Sequence, residues 1–184
     1  MRESFVTHLE CSMTGRPYPA GQVHGLSEAG RPLLVRYDLD ALGKAVTKGD
    51  IAASGEPGFW RYAPFLPVTD PANRVSLGEV MTPIVPLDRA APLLGAVPGQ
   101  VLVKDEGRLP TGSFKARGLA LAVSMAKEFG LSHLAIPTNG NAGAAMAAYA
   151  RRAGMRATVL CPSDTPEISI REIAVQGAET WMVN

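Results

Sequence analysis

The residue best suited to chemistry is Lys115, in the segment KDEGRLPTGSFKARG (residues 104–118). Ser113 is a good N-cap for a helix beginning at Phe114, which predicts Lys115 at the second and Arg117 at the fourth helical position. Two cations there oppose the helix dipole, and the same field favours a neutral lysine amine. A neutral amine is a nucleophile that can condense with an aldehyde. An ordinary exposed lysine at a helix start is the alternative, and the local pattern leaves both interpretations open.

A second segment with chemical potential is PTNGNAGAAMAAYARRAG (residues 137–154). We predict a strand that ends at Thr138, a turn over residues 139–141, and an alanine-rich helix. The start of a helix after a glycine turn can receive an anion or a polar ring substituent. The pattern is neither a Walker A loop nor G-x-G-x-x-G, because no GK[ST] follows and only Gly140 and Gly143 are present. A simple tight βα turn is the alternative interpretation.

Regular elements from about residue 100 onward must position these two segments. Strand-like segments are predicted at 101–106, 134–138, 156–161 and 179–184, and helices at about 114–129, 142–153 and 166–176. Strands that alternate with helices predict an α/β fold with a parallel, doubly wound sheet. Ligands in such folds bind beyond the carboxyl ends of the strands.

The composition of the first part of the chain differs from that of the α/β part and predicts a different organisation. Residues 1–75 are rich in Gly and Pro, which predicts an irregular N-terminal segment before an α/β domain at 76–184. Within it, residues 32–39 read as a short strand, and Asp38 or Asp40 can cap a short helix that follows. Residues 54–74 hold four prolines and form a loop, which an aromatic cluster is expected to attach to the body of the protein.

Composition and charge exclude several functional classes. The 184-residue chain is 46% hydrophobic and 19% charged, with a net charge of +1 and no basic tract, so neither nucleic acid nor an anionic membrane is indicated. The first residues lack the apolar core of a signal peptide, which predicts a cytoplasmic protein. Cys11 and Cys161 are too few for a disulfide framework or a four-ligand zinc site, and the three histidines lack ligand spacing. We therefore predict no bound metal.

Taken together, the two chemical segments resemble the fold type II family of pyridoxal-phosphate (PLP) enzymes, which share a tryptophan synthase beta-like fold. SFKARG (113–118) matches the segment that carries the cofactor lysine in this family, and GNAG (140–143) matches its Gly-Asn turn. The resemblance implies that Lys115 is the catalytic residue, which binds the aldehyde of pyridoxal 5′-phosphate and later moves protons. It also implies that Asn141 binds the cofactor by donating a hydrogen bond to the ring's 3′-oxygen.

Within this family, the chain resembles the N-terminal portion of threonine synthase and its close relatives. The segments LECSMTGRPY, PLLVRYDLDAL, FWRYAPFLPV, VSLGEVMTPIVPL and PTGSFKARG occur in the order typical of those proteins. The resemblance implies a lyase of threonine biosynthesis that converts O-phosphohomoserine and water to threonine and phosphate, and that forms a homo-oligomer. Serine/threonine ammonia-lyase and cysteate synthase are alternatives within the family. A non-catalytic, truncated relative that binds a partner is a third possibility.

Three departures from the family pattern affect these expectations. Many relatives carry a cysteine-bearing knuckle near the start, whereas here Cys11 is followed by SMTG. Val80 stands where the family usually has a glycine, which raises a question about the conformation of that turn. The family's phosphate-binding loop and the group that faces the pyridine nitrogen lie further along than Asn184. We therefore expect the 184-residue chain alone to bind PLP weakly and to be inactive.

Overall fold

The computed structural model describes residues 4–184 as a mixed α/β protein. The strands are β1 (Val6–Cys11), β2 (Pro17–Tyr18), β3 (Leu33–Tyr37), β4 (Ile84–Pro86), β5 (Leu102–Lys104), β6 (His133–Pro137), β7 (Arg156–Pro162) and β8 (Glu179–Val183). The α-helices are α1 (Leu39–Ala45), α2 (Lys48–Ala52), α3 (Lys115–Glu128), α4 (Asn141–Arg152) and α5 (Glu167–Val175). Short 3₁₀ turns connect several of these elements.

The predicted parallel sheet is confirmed for three strands. β6, β7 and β8 lie side by side in that order, and both pairs are parallel. Helix α4 connects the first pair and helix α5 the second, as the alternation of strand and helix patterns predicted. The carboxyl ends of β6 and β7 therefore lie at the same edge of the sheet.

Small residues allow helix α4 to pack closely on this sheet. Every residue from Gly143 to Ala150 is buried, and the main apolar core joins this helix to Val159 of β7 and Ile173 of α5. A Cβ atom added to Gly143 would lie 2.5 Å from Cγ2 of Thr138 and 2.9 Å from Cγ1 of Val159. A glycine is therefore required at this position for the close approach of helix and sheet.

The prediction that residues 101–106 join the parallel sheet is wrong. β5 pairs antiparallel with β4 in a separate two-stranded sheet. The ladder extends on both sides, with Leu87 N–H donating to the Val101 carbonyl at 2.8 Å and Asp105 N–H to the Pro83 carbonyl at 3.0 Å. The partner strand was not recognised because it is three residues long and bordered by prolines, so it shows no strand periodicity of its own.

The N-terminal segment is more regular than expected. β1 lies between β2 and β3 in a three-stranded antiparallel sheet. The predicted strand over 32–39 is confirmed as β3, and the predicted cap is confirmed at Asp38, whose carboxylate accepts from Ala41 N–H at 2.9 Å. The segment VTHLEC was not predicted as a strand because its apolar residues do not alternate regularly. The division of the chain near residue 75 stays a prediction.

Aromatic and polar contacts attach the proline-rich segment to the rest of the chain. Trp60 is 6% exposed and donates through Nε1 to the Val75 carbonyl at 3.2 Å. Val75 N–H in turn donates to the hydroxyl of Ser124, in the middle of α3, at 2.8 Å. Helix α3 also packs against α4, and α4 contacts the turn over Pro110–Gly112 that precedes Lys115. No helix within residues 4–184 is long and apolar enough to cross a membrane.

Candidate active site

Lys115 is the first residue of helix α3, so the predicted helix start is corrected by one residue and Arg117 occupies the third position. The lysine side chain is half-buried, and its Nζ lies 4.6 Å from the centre of the Phe114 ring. None of the ion pairs within residues 4–184 includes Lys115. The amine thus lies near a helix start, beside an aromatic ring.

The predicted cap of this helix is wrong. Phe114 occupies the N-cap position without a side-chain hydrogen bond, and the hydroxyl of Ser113 is buried without a partner among the described residues. Ser113 has an extended backbone (φ −152°, ψ 158°) and lies one residue too early to reach the N–H groups of the first turn. Two residues before it, Thr111 has a left-handed backbone (φ 60°) and a buried hydroxyl that is also unpartnered.

A half-buried ion pair holds the first turn of α3 in place of a cap. Arg117 binds both oxygens of Glu106, with Nε to Oε2 at 2.6 Å and Nη2 to Oε1 at 2.9 Å. Thr82 adds a hydroxyl bond to Oε1 at 2.5 Å. The Arg117 guanidinium, Thr82 and the nearby Lys104 together lower the pKa of Glu106 to about 2, against the opposing effect of burial. This pair joins the turn after β5 to the helix that carries Lys115.

Replacing Glu106 by glutamine is expected to destabilise the fold in a pH-dependent way. The folded-state pKa of about 2 lies below the ordinary value of 4.5, so the carboxylate stabilises the fold above about pH 4.5 and loses this effect as the pH falls toward 2. We expect a loss of about 1–3 kcal/mol in the free energy of unfolding at pH 7. Urea titrations at several pH values measure it.

The matched control for this experiment is Glu167→Gln. Glu167 pairs with Arg171 at 2.6 Å, but both side chains are more than 70% exposed. Exposed pairs contribute little, so this variant should lie within about 0.5 kcal/mol of the original protein at every pH. A Glu106→Gln variant whose stability deficit is unchanged between pH 7 and pH 3 would contradict the assigned role of the carboxylate.

Asn141 begins helix α4, one residue earlier than predicted, directly after the turn that follows β6. Its side chain is exposed and hydrogen-bonds to no residue within 4–184. The buried hydroxyl of Thr138 accepts from the N–H groups of Gly140 at 3.1 Å and Gly143 at 3.2 Å. Thr138 therefore shapes the turn and satisfies two donors of the helix start, while the Asn141 amide remains available to a ligand. Sequence reasoning identified Thr138 only as the end of a strand.

The two predicted site residues lie at corresponding ends of neighbouring helices. α4 begins directly after the end of β6, so its start faces the carboxyl edge of the sheet, and α3 packs against α4. This edge is where open α/β sheets bind ligands. An unpaired lysine amine, an available amide and the unpartnered hydroxyl of Ser113 fit a cofactor with an aldehyde and several polar substituents.

Sequence reasoning missed a buried pair that joins this region to the preceding loop. The Tyr149 hydroxyl donates to Oε1 of Glu79, and both side chains are almost fully buried. Burial and the Glu79 carboxylate raise the pKa of Tyr149. The neighbouring Val80 departs from the family's glycine without strain, because Thr111 is the only non-glycine residue with a positive φ in the described chain.

Both cysteines lie in buried environments. Cys11 and Cys161 are both buried and free, and the Cys11 thiol donates to the Ser27 hydroxyl at 3.1 Å. Within residues 4–184, no three or more His, Cys, Asp and Glu side chains are grouped so that they could hold a metal ion. The absence of a bound metal stays a prediction that elemental analysis can check.

Comparison with known proteins identifies relatives of this chain. Over 83% of this chain, the sequence is 35% identical to the threonine synthase of Methanocaldococcus jannaschii. Over 67% of this chain, it is 43% identical to the threonine synthase of Synechocystis. These matches cover 37% and 32% of the two relatives, so the chain spans about a third of their length. Holo diaminopropionate ammonia lyase from Escherichia coli superposes with a TM-score of 0.53 at 26% identity, over 59% of this chain and 32% of that one.

A protein-family model matches the larger part of the chain. The model described as pyridoxal-phosphate dependent enzyme matches residues 75–184, which include both predicted site residues. The predicted fold class and the predicted cofactor, pyridoxal phosphate, are confirmed by this match and by the solved relatives. The chain belongs to the family of pyridoxal-phosphate dependent enzymes.

Proposed function

We propose that this chain is part of a threonine synthase, which converts O-phosphohomoserine and water to threonine and phosphate. The observation that carries the proposal is the extent of the similarity to threonine synthases. The match to the Methanocaldococcus jannaschii enzyme covers 83% of the chain, whereas the family model covers only residues 75–184. The similarity therefore includes residues that precede position 75.

In this proposal Lys115 is the residue that binds the aldehyde of pyridoxal phosphate. When bound, the cofactor supplies an electron sink that stabilises negative charge on the substrate's carbon skeleton. The Lys115 amine, once released, moves protons between substrate carbons from its position at the start of α3. None of the ion pairs within the described residues includes Lys115, so its amine is not held by a carboxylate, which supports this role.

The neighbouring residues position these groups. Asn141 supplies an amide at the start of α4 that can hydrogen-bond the cofactor ring, and Thr138 holds that turn in shape. Arg117 and Glu106 fix the first turn of α3 and so the origin of the lysine side chain. Phe114 offers an apolar surface beside the amine, which reduces its contact with water.

A second candidate is an ammonia-lyase acting on serine or threonine. The structural similarity to diaminopropionate ammonia lyase supports this second candidate, since an enzyme of that reaction class shares the fold of this chain. Cysteate synthase chemistry would use the same lysine and amide. The candidates differ in the group that leaves the substrate, which is phosphate for threonine synthase and an amine or hydroxyl group for the ammonia-lyases.

The test is to incubate the PLP-loaded full-length enzyme, of which this chain is proposed to be part, with O-phospho-L-homoserine and to measure phosphate and threonine together. We expect the two products in equal amounts. Parallel reactions with L-serine and L-threonine measure 2-oxoacid and ammonia. Ammonia release from these amino acids, with no phosphate release from O-phospho-L-homoserine, would assign the ammonia-lyase reaction instead.

A further inference from the structure

A small cavity lies at the amino edge of the parallel sheet. It is bordered by the first residues of β6, β7 and β8 and by the last residues of α4 and α5, and its volume is about 210 Å³. Asn141 begins α4, so this cavity lies at the other end of that helix from the candidate active site. Pockets for drug-sized ligands measure roughly 300–1,000 Å³. A cavity of this size therefore suits only a small metabolite.

Charged side chains of both signs line this cavity without pairing. They are Arg151, Arg156 and Glu179, and none of them belongs to an ion pair within residues 4–184. A Cβ atom added to Gly177 would lie 3.9 Å from Nη1 of Arg151, so this guanidinium reaches from α4 to the turn after α5. The place of Arg151 in the last turn of α4 explains a favourable cation there, but not this reach. Unpaired opposite charges around one concavity suit a ligand that carries both.

The side of the cavity formed by α5 and β8 offers acceptors for a cation. Thr158 donates to Oε2 of Glu179 at 3.2 Å and lies 2.8 Å from Nε2 of His133, so the carboxylate is oriented from the neighbouring strands. The carbonyl of Gln176, directly after α5, accepts no hydrogen bond within the described chain. The end of α5 also carries the negative end of its dipole. An ammonium group would meet both acceptors and a favourable field.

The rest of the cavity wall is apolar and made of small side chains. Ala147 of α4 and Ala157 of β7 are buried at 1% and 8% exposure, and Met155 and Ala178 complete this wall. All four pack with the main apolar core of helix α4 and the sheet. A short aliphatic side chain placed against them would lose contact with water, which favours binding.

We propose that this cavity is a binding site for a small aliphatic α-amino acid. The guanidinium groups of Arg151 and Arg156 receive its carboxylate, since arginine forms charge-assisted hydrogen bonds with carboxylates. Glu179 and the carbonyl of Gln176 receive its ammonium group, and the alanine-rich wall receives its side chain. A simple anion suits the cavity less well, because Glu179 and the end of α5 repel it. The inference goes beyond the proposed function, and no residue of the candidate active site takes part in it.

The experiment is hydrogen exchange followed by mass spectrometry on the full-length protein of which this chain is proposed to be part, with L-valine as the probe. We expect saturable slowing of exchange in peptides that cover residues 151–157 and 176–179. Arg151→Gln and Arg156→Gln should each weaken binding about tenfold, the effect of losing one charge-assisted hydrogen bond. Both arginines are exposed, so these substitutions should leave the fold intact.

Arg171→Gln is the matched control. Arg171 also belongs to this region of the fold, in helix α5, but it pairs with Glu167 and does not line the cavity. This variant should bind L-valine as the original protein does. Slowed exchange confined to the peptides around Lys115 and Asn141 would place the amino acid in the candidate active site and refute the cavity.

Two matched probes test the assignment of the ligand's charged groups. 3-Methylbutanoate is L-valine without its amine, and 2-methylpropylamine is L-valine without its carboxylate. Each should bind at least about tenfold more weakly than L-valine, because each loses a charged contact. Equal binding of 3-methylbutanoate would overturn the amino-acid assignment.

L-Threonine tests the apolar wall and keeps this inference apart from the proposed reaction. It replaces one methyl group of L-valine by a hydroxyl, so it should slow exchange in the same peptides but bind more weakly. Tighter binding of L-threonine than of L-valine would overturn the assigned apolar contact. Absence of slowed exchange in both peptides at saturating L-valine would refute the site, whether or not the protein makes threonine.

Discussion

In the full-length enzyme of which this chain is proposed to be part, replacing Lys115 by alanine is expected to abolish covalent attachment of pyridoxal phosphate and to remove catalytic activity. No other lysine of residues 4–184 begins a helix of more than five residues. Proton transfer by a positioned side chain contributes on the order of 10²–10⁴-fold, so activity should fall by at least about 10²-fold. The visible absorbance of the bound cofactor and its attachment site, mapped by mass spectrometry after borohydride reduction, measure the effect.

Lys104→Ala is the control for this experiment. Lys104 ends strand β5 in the same sequence segment, but its Nζ donates to the Thr82 carbonyl at 3.1 Å and lies 3.9 Å from Glu106. An amine engaged in this way is less available as a nucleophile, so the Lys104 variant should keep its cofactor. Attachment that survives in Lys115→Ala and disappears in Lys104→Ala would assign the cofactor to Lys104.

Replacing Glu79 by alanine is expected to give the largest loss of stability, about 3–5 kcal/mol in the free energy of unfolding. The Glu79 carboxylate accepts from the Tyr149 hydroxyl, from Ser76 Oγ at 2.6 Å and from Leu77 N–H at 2.9 Å. Hydrogen bonds to a charged group contribute about 1.5–3 kcal/mol each, although they do not add fully. The substitution also leaves the Tyr149 hydroxyl buried without an acceptor. Guanidinium unfolding monitored by circular dichroism measures the change.

A double-mutant cycle isolates the contribution of the pair. Tyr149→Phe removes only the hydroxyl, and we expect it to cost about 1–3 kcal/mol because the buried carboxylate loses one donor. If the pair acts as a unit, the double variant should lose less stability than the sum of the two single variants. Full additivity would show that Glu79 stabilises the fold through Ser76 and Leu77 alone. Glu167→Ala, at an exposed pair, should change the stability by less than about 0.5 kcal/mol.

This pair also has a consequence for the site. Glu79 belongs to the loop before β4, and Tyr149 lies in helix α4, which begins at Asn141. The same tyrosine packs with Ala116 and Ala120 of helix α3 in an apolar cluster. Weakening the pair therefore loosens the contact between the two helices whose starts carry the predicted site residues. We expect Tyr149→Phe to reduce cofactor affinity even where most of the protein remains folded.

The sequence by itself determined the elements whose signals are local. The alternation of apolar strands with helices predicted β6, β7, β8 and the helices between them, because side-chain periodicity reports which face of each element is buried. Asp38 was predicted as one of two candidate caps, since capping involves residues three positions apart. The resemblance of two motifs to the PLP-enzyme family predicted Lys115 and Asn141 as site residues, and this assignment stays a prediction.

Only the tertiary structure decided the contacts between distant segments. The antiparallel partner of β5 lies in residues 84–86, and a three-residue strand beside prolines carries no periodicity that could predict it. The pairs Glu79–Tyr149 and Glu106–Arg117 join segments whose approach depends on how helices α3 and α4 pack. The failure of Ser113 to cap α3 has the same origin. A hydroxyl bonds whatever the folded backbone brings within about 3 Å, and that distance is set by packing rather than by sequence spacing.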